Sequence, residues 1–227
     1  MDIDFSPYFK KYEALIKTVD DVFLRVKNDY PACVKCKTAC DDCCYAMFDL
    51  TLIEALYINH KFKTVFENPD RVRVQERANL ADRKIHKIKR SAFNKLEKGA
   101  TEAAILSELA LERVRCPLLN DYQICEMYAF RPATCRLYGI PTAIDGRGYT
   151  CGKSGFEQGG AYPTVNMDQL FGRLQEISAE FVLDIKSKYV KLADMLVPLS
   201  MALLTDYTEE YLGIKDDAET GGAGIIR

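Results

Sequence analysis

Cysteine is the residue type in this chain best able to do chemistry, and the nine cysteines among 227 residues fall into two groups. Cys33, Cys36, Cys40, Cys43 and Cys44 lie within twelve residues, and Cys116, Cys125, Cys135 and Cys151 follow after a long cysteine-free stretch. Burial alone would not concentrate thiols in this way, although free cysteines do pack as small hydrophobes. Clustered thiolates are soft ligands that select zinc, copper(I) or iron–sulfur centres. Cys33-x-x-Cys36 and Cys40-x-x-Cys43 each have the spacing that turns two sulfurs toward one metal. Cys44 does not fit a simple four-cysteine knuckle, because the side chains of adjacent residues diverge. The vicinal pair suits a multinuclear centre, or two separate centres, better than one tetrahedral ion. An odd number of cysteines argues against a disulfide framework.

In the later group the cysteines are too far apart in sequence to form a local knuckle, so the expectation is that 116–151 folds back onto 33–44 to make one site. All nine cysteines, Cys33, Cys36, Cys40, Cys43, Cys44, Cys116, Cys125, Cys135 and Cys151, are candidate metal ligands. Which of them is a spare thiol stays open, Cys151 included. Arg131 and Arg136 flank Cys135 and are candidate cofactor-binding residues, able to donate to sulfur or to a substrate carboxylate. Backbone N–H groups of Gly139 and Gly152 could serve the same end. A surface salt bridge is the plainer role for either arginine. His60 and His86 lie in helical stretches away from both groups and read as ordinary helix residues.

The elements that must position these thiols are helical. Ser6-Pro7 reads as a helix start, with a capping hydroxyl before a proline. Phe9, Tyr12, Leu15, Ile16, Val19, Val22, Phe23 and Val26 then give one apolar face up to Pro31. Thr51 with Glu54 forms a capping box opening a second helix to about Phe66. Asn68-Pro69 reads as a break before a long helix from Asp70 to Lys98, with Leu80, Ala81, Ile85, Ile88, Ala92 and Leu96 on its apolar side. A shorter helix is expected over 101–115, and a final block over 167–196 that Pro198 kinks or restarts. Between them, 116–165 is rich in turn residues: Asn120-Asp121, Asp145-Gly146 and Gly159-Gly160. It reads as short hairpins and loops, with one helical turn after Arg131-Pro132 that ends at Gly139. The expected fold is thus mainly α: one helical domain over 1–215 with a cysteine-rich, loop and short-hairpin metal-binding region. A tail over 216–227 is expected to be mobile.

The stretch Cys36-Lys-Thr-Ala-Cys40-Asp-Asp-Cys43-Cys44 resembles the cysteine-cluster family marked by a C-x-x-C-x-x-C-C signature, the YkgJ-like zinc- or iron-chelating domain. The second group carries the family's other signature in Cys116-Pro117-Leu118-Leu119, Cys125, Tyr128, Arg131-Pro132, Cys135-Arg136 and Tyr138. The chain departs from the first motif by one extra residue between Cys36 and Cys40 and by the additional Cys33. Metal chelation is what the resemblance implies. Among the relatives are flagellin lysine-N-methylases, which look like iron–sulfur proteins. Their methylase activity is not carried over, because no strand here runs through a glycine-rich turn into a helix.

Three functions follow as expectations. The first is an iron–sulfur protein, with a 4Fe–4S cluster favoured, in a redox or substrate-modifying role. A structural zinc-binding interaction module is the second, and a metal-trafficking protein the third. Whether the chain is an enzyme stays open; its partner would be a protein or a small molecule. A net charge of -2 argues against general nucleic-acid binding. No apolar run is long enough to span a membrane, and 1–12 lacks the apolar core of a signal peptide, so a cytoplasmic protein is expected. No Walker loop, hydrolytic triad or dinucleotide fingerprint occurs. Over 70–98 there are ten Lys or Arg against four acids, which reads as a solvated face or as a docking surface for an acidic protein or RNA.

Overall fold

The computed structural model describes residues 3–157 and 159–214; the tail expected to be mobile lies outside them. The protein is mainly α. In chain order the elements are α1 (Ser6–Asp29), β1 (Asp49–Thr51), α2 (Leu52–Val65), α3 (Asn68–Glu97), α4 (Glu102–Leu109), α5 (Ala133–Leu137), β2 (Thr142–Ile144), β3 (Arg147–Tyr149), β4 (Val165–Asn166), α6 (Met167–Asp184), β5 (Leu196–Pro198), α7 (Leu199–Leu204) and α8 (Glu209–Leu212).

Helix α2 is the hub. Its first eight residues, Leu52 to Asn59, are buried without interruption, as befits a helix covered on every side. On one side lies an apolar cluster built with α1, α5 and α6 from Tyr12, Ile16, Ile53, Leu56, Leu137, Leu174 and Phe181. On the other, α3 and α7 pack Ala55, Ile58, Phe62, Val74, Ala78 and Leu203. The capping box at the head of α2 is present as expected, with Thr51 N–H donating to Glu54 Oε2 at 3.2 Å.

Several expectations need correcting. Asp4, not Ser6, receives the bond at the head of α1: Ser6 N–H donates to Asp4 Oδ1 at 2.9 Å, and Ser6 lies inside the helix. Asn68-Pro69 begins α3 and does not merely break the chain, since a proline in the first turn needs no hydrogen-bond donor. The buried face of α3 is Val74, Ala78 and Ala81, while Leu80 and Leu96 are exposed. Helix α4 ends at Leu109, and after a turn over 110–112 the chain is drawn out, with Arg113 bridged to Ala46.

The block expected over 167–196 divides. Helix α6 stops at Asp184, Lys186 takes a left-handed conformation (φ 52°), and Leu196–Pro198 becomes β5, antiparallel to β1. Tertiary pairing overrides the helical periodicity there. The hairpin expected at Asp145-Gly146 is formed by β2 and β3, both turn residues having positive φ as a type I′ turn demands. The two-residue parallel pairing of β4 with β2 had no signal in the sequence.

Candidate metal centre

The path of the chain explains how the two cysteine groups meet. After α1, the segment 33–44 runs as turns into a single 3-10 turn at Asp42–Tyr45. The drawn-out segment after α4 pairs with its exit: Val114 N–H donates to Tyr45 O at 3.1 Å, and Cys116 N–H to Cys44 O at 2.7 Å. A bridge between Leu119 and Cys125 closes a small loop that turns Cys125 back beside Cys116. Helix α5 then presents Cys135. Beyond the hairpin, Cys151 returns to the first group, where its thiol lies 3.5 Å from Asp42 Oδ2.

Eight of the nine thiols, Cys36, Cys40, Cys43, Cys44, Cys116, Cys125, Cys135 and Cys151, line one cavity of about 620 Å³. Cys33 does not line it; its carbonyl accepts from Gly155 N–H at 2.8 Å, and its side chain packs on the α1 side of the core. Neither His60 nor His86 lines the cavity. Gly139 lies flat against Cys36: a Cβ there would sit 2.1 Å from Cys36 Sγ, so only glycine admits the thiol at this point. Around Gly152 there is open space, and it is Lys153 N–H that reaches the Cys151 sulfur, at 3.4 Å.

The electrostatics are one-sided. Five cations line the cavity, Lys27, Lys37, Arg115, Arg131 and Arg136, and none of the lining residues is Asp or Glu. Asp42 touches Cys151 from behind. Burial opposes its ionisation, but bonds with Tyr138 and Arg113 prevail and hold the carboxyl below its ordinary value. The two arginines beside Cys135 differ. Arg136 is fully engaged, its Nη1 on Asp20 Oδ2 at 2.6 Å, its Nε on Arg131 O at 2.7 Å and its Nη2 on Ala129 O. Arg131 is pinned at its base, with Nε on Tyr128 O at 3.0 Å and the guanidinium 3.6 Å from the centre of the Tyr128 ring. Among the described residues its terminal nitrogens have no hydrogen-bonding partner, and its charge favours ionisation of Cys36, Cys43 and Cys125.

Thiol pairs meet inside the cavity. Hydrogen bonds from Cys135 and then Cys44 hold the Cys43 thiol down to about 3. Cys125 is lowered by its bond to Cys44, whose own thiol is pushed up by Cys125 and then by Cys43. Cys135 is raised by its bond to Cys43 and by burial. Burial pushes Cys36 up to about 11 and Cys116 up to about 12.

The donor set fits a soft metal: eight thiols facing fixed positive charge. Among the described residues, however, no three His, Cys, Asp or Glu side chains stand as they would to hold one ion. The sulfurs wall a space and do not converge on a point.

Sequence reasoning missed Asp42 and Asp20 as supports of this region, and also the reach of Glu54 to Ala133 N–H and of Tyr138 to Arg113. Each of these contacts joins residues distant in the chain.

A helical scaffold whose loops bring two separated cysteine groups to one cavity defines the class of protein. The chain matches the model of the CxxCxxCC family (Putative zinc- or iron-chelating domain) over residues 35–152. It belongs to that family. No curated protein and no solved structure gives a significant match to it. Among the described residues no helix is long and apolar enough to cross a membrane.

Proposed function

We propose that the protein is an iron–sulfur protein in which the eight cavity cysteines hold the metal and the cavity cations tune it, in a redox or substrate-modifying role. The observation that carries this reading is the meeting of both cysteine groups on one cavity whose lining holds five cations and no carboxylate. A single zinc ion takes four ligands at about 2.0–2.3 Å and leaves no need for a wide chamber. Clusters spread their thiolates over several iron atoms, which suits sulfurs arranged around a wall. When bound, such a centre supplies one-electron transfer.

Thiolate ligation makes the site anionic, and the protein's own part is to offset that charge. Arg131 is the cation placed to do so directly, because its base is anchored and its terminal nitrogens are left to the cavity. Arg136 acts as a strut, fixing the turn that carries Cys135 to Asp20 of α1. Beyond the thiols the same cavity is walled by Phe48, Ile58, Ala81, Ile85 and Leu199, which exclude water and leave room for an apolar part of a substrate or partner.

Anaerobic purification followed by absorbance and electron paramagnetic resonance tests the proposal. The expected result is a brown protein absorbing near ~400 nm that becomes paramagnetic on one-electron reduction. A colourless protein carrying stoichiometric zinc would refute it and return the zinc module.

A further inference from the structure

We infer that the cavity is also a binding site for an amphipathic carboxylate: a small molecule whose carboxylate is forked by Arg131 and whose apolar body lies against Ile58, Ala81, Ile85 and Leu199. This names a substrate class for the site proposed above. The use made of the bound molecule rests on that reading, whereas the binding itself does not.

The first argument is which cations are left to a ligand. Arg136 is committed to Asp20, Arg131 O and Ala129 O. Arg115 is committed to Asn120 O at 2.7 Å, with Asp121 at 3.6 Å. Lys27 and Lys37 are exposed at the rim, where solvated charge steers an anion toward the opening. Arg131 is different, because Nε on Tyr128 O and the guanidinium over the Tyr128 ring fix its orientation while its terminal nitrogens stay unpartnered among the described residues. Offsetting thiolate charge needs only proximity. A guanidinium edge held in one orientation is what recognises a carboxylate through two parallel N–H bonds. One fixed guanidinium balances one charge, which favours a carboxylate over a phosphate carrying about two.

The second argument is that charge and apolar wall come from different sides of the core. Arg136 ties the Arg131 carbonyl to Asp20 of α1, and Lys27 lies about two turns further along the same helix. Phe23, between them, is 3.5 Å from where a Gly139 Cβ would stand, the same point that meets Cys36, the neighbour of Lys37. The free cations therefore gather toward α1. The wall made by α2, α3 and α7 contributes Ile58, Ala81, Ile85, Leu199 and Ser200 to the lining, and none of these is charged. A molecule that satisfies both sides needs an anionic head and an apolar body. The volume of about 620 Å³ is that of a small-molecule pocket, for which ~300–1,000 Å³ is usual.

The test uses the full chain purified anaerobically, with iron and zinc counted in every sample, and octanoate as the probe in titration calorimetry. Octanol lacks the charge and acetate lacks the apolar body. Octanoate should bind at least about tenfold more tightly than either, and octyl phosphate no more tightly than octanoate. Arg131→Gln should weaken octanoate by about ten- to a hundredfold and leave octanol unchanged. Arg131→Lys, which keeps the charge without the fork, should fall between, with circular dichroism confirming that both variants are folded. Equal affinity of the wild type for octanoate and octanol, or no octanoate binding at millimolar concentration, would overturn the inference. So would tighter binding of octyl phosphate, or wild-type octanoate affinity in either folded Arg131 variant. The metal count keeps the two readings apart: a metal-free chain that binds octanoate through Arg131 would overturn the metal reading alone, and a metal-loaded chain that ignores octanoate would overturn this one alone.

Discussion

Glu54 offers the sharpest test of how the scaffold holds the site. Its side chain is 1 % exposed and gathers three donors. Oε2 accepts from Thr51 N–H at 3.2 Å and from Thr51 Oγ1 at 3.1 Å, while Oε1 accepts from Ala133 N–H at 3.1 Å. One carboxyl therefore ties the first turn of α2 to the first turn of α5, the helix that carries Cys135. Glu54→Leu leaves two buried backbone N–H groups without acceptors, at about 1–3 kcal/mol each, so the expected loss is about 2–6 kcal/mol. Glu54→Gln keeps one oxygen but turns an NH₂ toward the other donors, and should lose roughly half as much. Urea unfolding of the three proteins measures both.

The pH dependence of the same group has a definite sign. Burial raises the Glu54 pKa, and the bonds from Ala133 and Thr51 only partly oppose it. The folded state then holds the proton more tightly than the unfolded chain, whose carboxyl titrates near 4.5. The contribution of Glu54 is full below that value and declines as pH rises through the folded pKa. The wild type should lose stability relative to Glu54→Gln as pH climbs above 4.5. A Glu54→Leu loss under about 1 kcal/mol, or a difference that grows with pH, would refute the reasoning.

Three other perturbations carry expected outcomes. Gly139→Ala puts a methyl 2.1 Å from Cys36 Sγ, so the thiol must retreat by about 1.5 Å to reach ordinary contact; overpacking of about 1–3 kcal/mol and reduced metal content are expected, by calorimetry and metal analysis. Asn59 donates to Ala202 O at 2.8 Å and Thr205 O at 2.9 Å, pinning α7 to α2; Asn59→Ala should cost about 1–3 kcal/mol in urea melts while leaving bound metal unchanged, since no cysteine is involved. Because burial lifts Cys36 to about 11 and Cys116 to about 12, metal must displace protons from them; competition with a chelator should therefore show apparent affinity rising with pH between 6 and 9, and a flat profile would count against these thiols as ligands.

Much of this fold is legible in the residues. The capping box at Thr51 and Glu54, the Asp145-Gly146 turn and the apolar spacing on α1 are local signals, and each gives the element it promises. The short strand Leu196–Pro198 is not legible, because it exists only through pairing with Asp49–Thr51 far away in sequence. Leu80 and Leu96 mislead for a related reason: α3 packs through one narrow face, Val74, Ala78 and Ala81, so part of its apolar pattern faces outward. At the site, clustering and spacing point to the cysteines, and the long gaps between the later four imply folding back. The exclusion of Cys33 and the commitment of Arg136 to Asp20 depend on neighbours that no spacing rule reaches.

The central claim is that both cysteine groups hold iron and sulfide together. Its most direct test is iron, zinc and acid-labile sulfide per chain in anaerobic wild type, Cys36→Ser and Cys116→Ser. The account predicts iron and sulfide in near-equal amounts in the wild type, with a comparable fall in both variants. Zinc without sulfide, or full metal retention in Cys116→Ser, would contradict it.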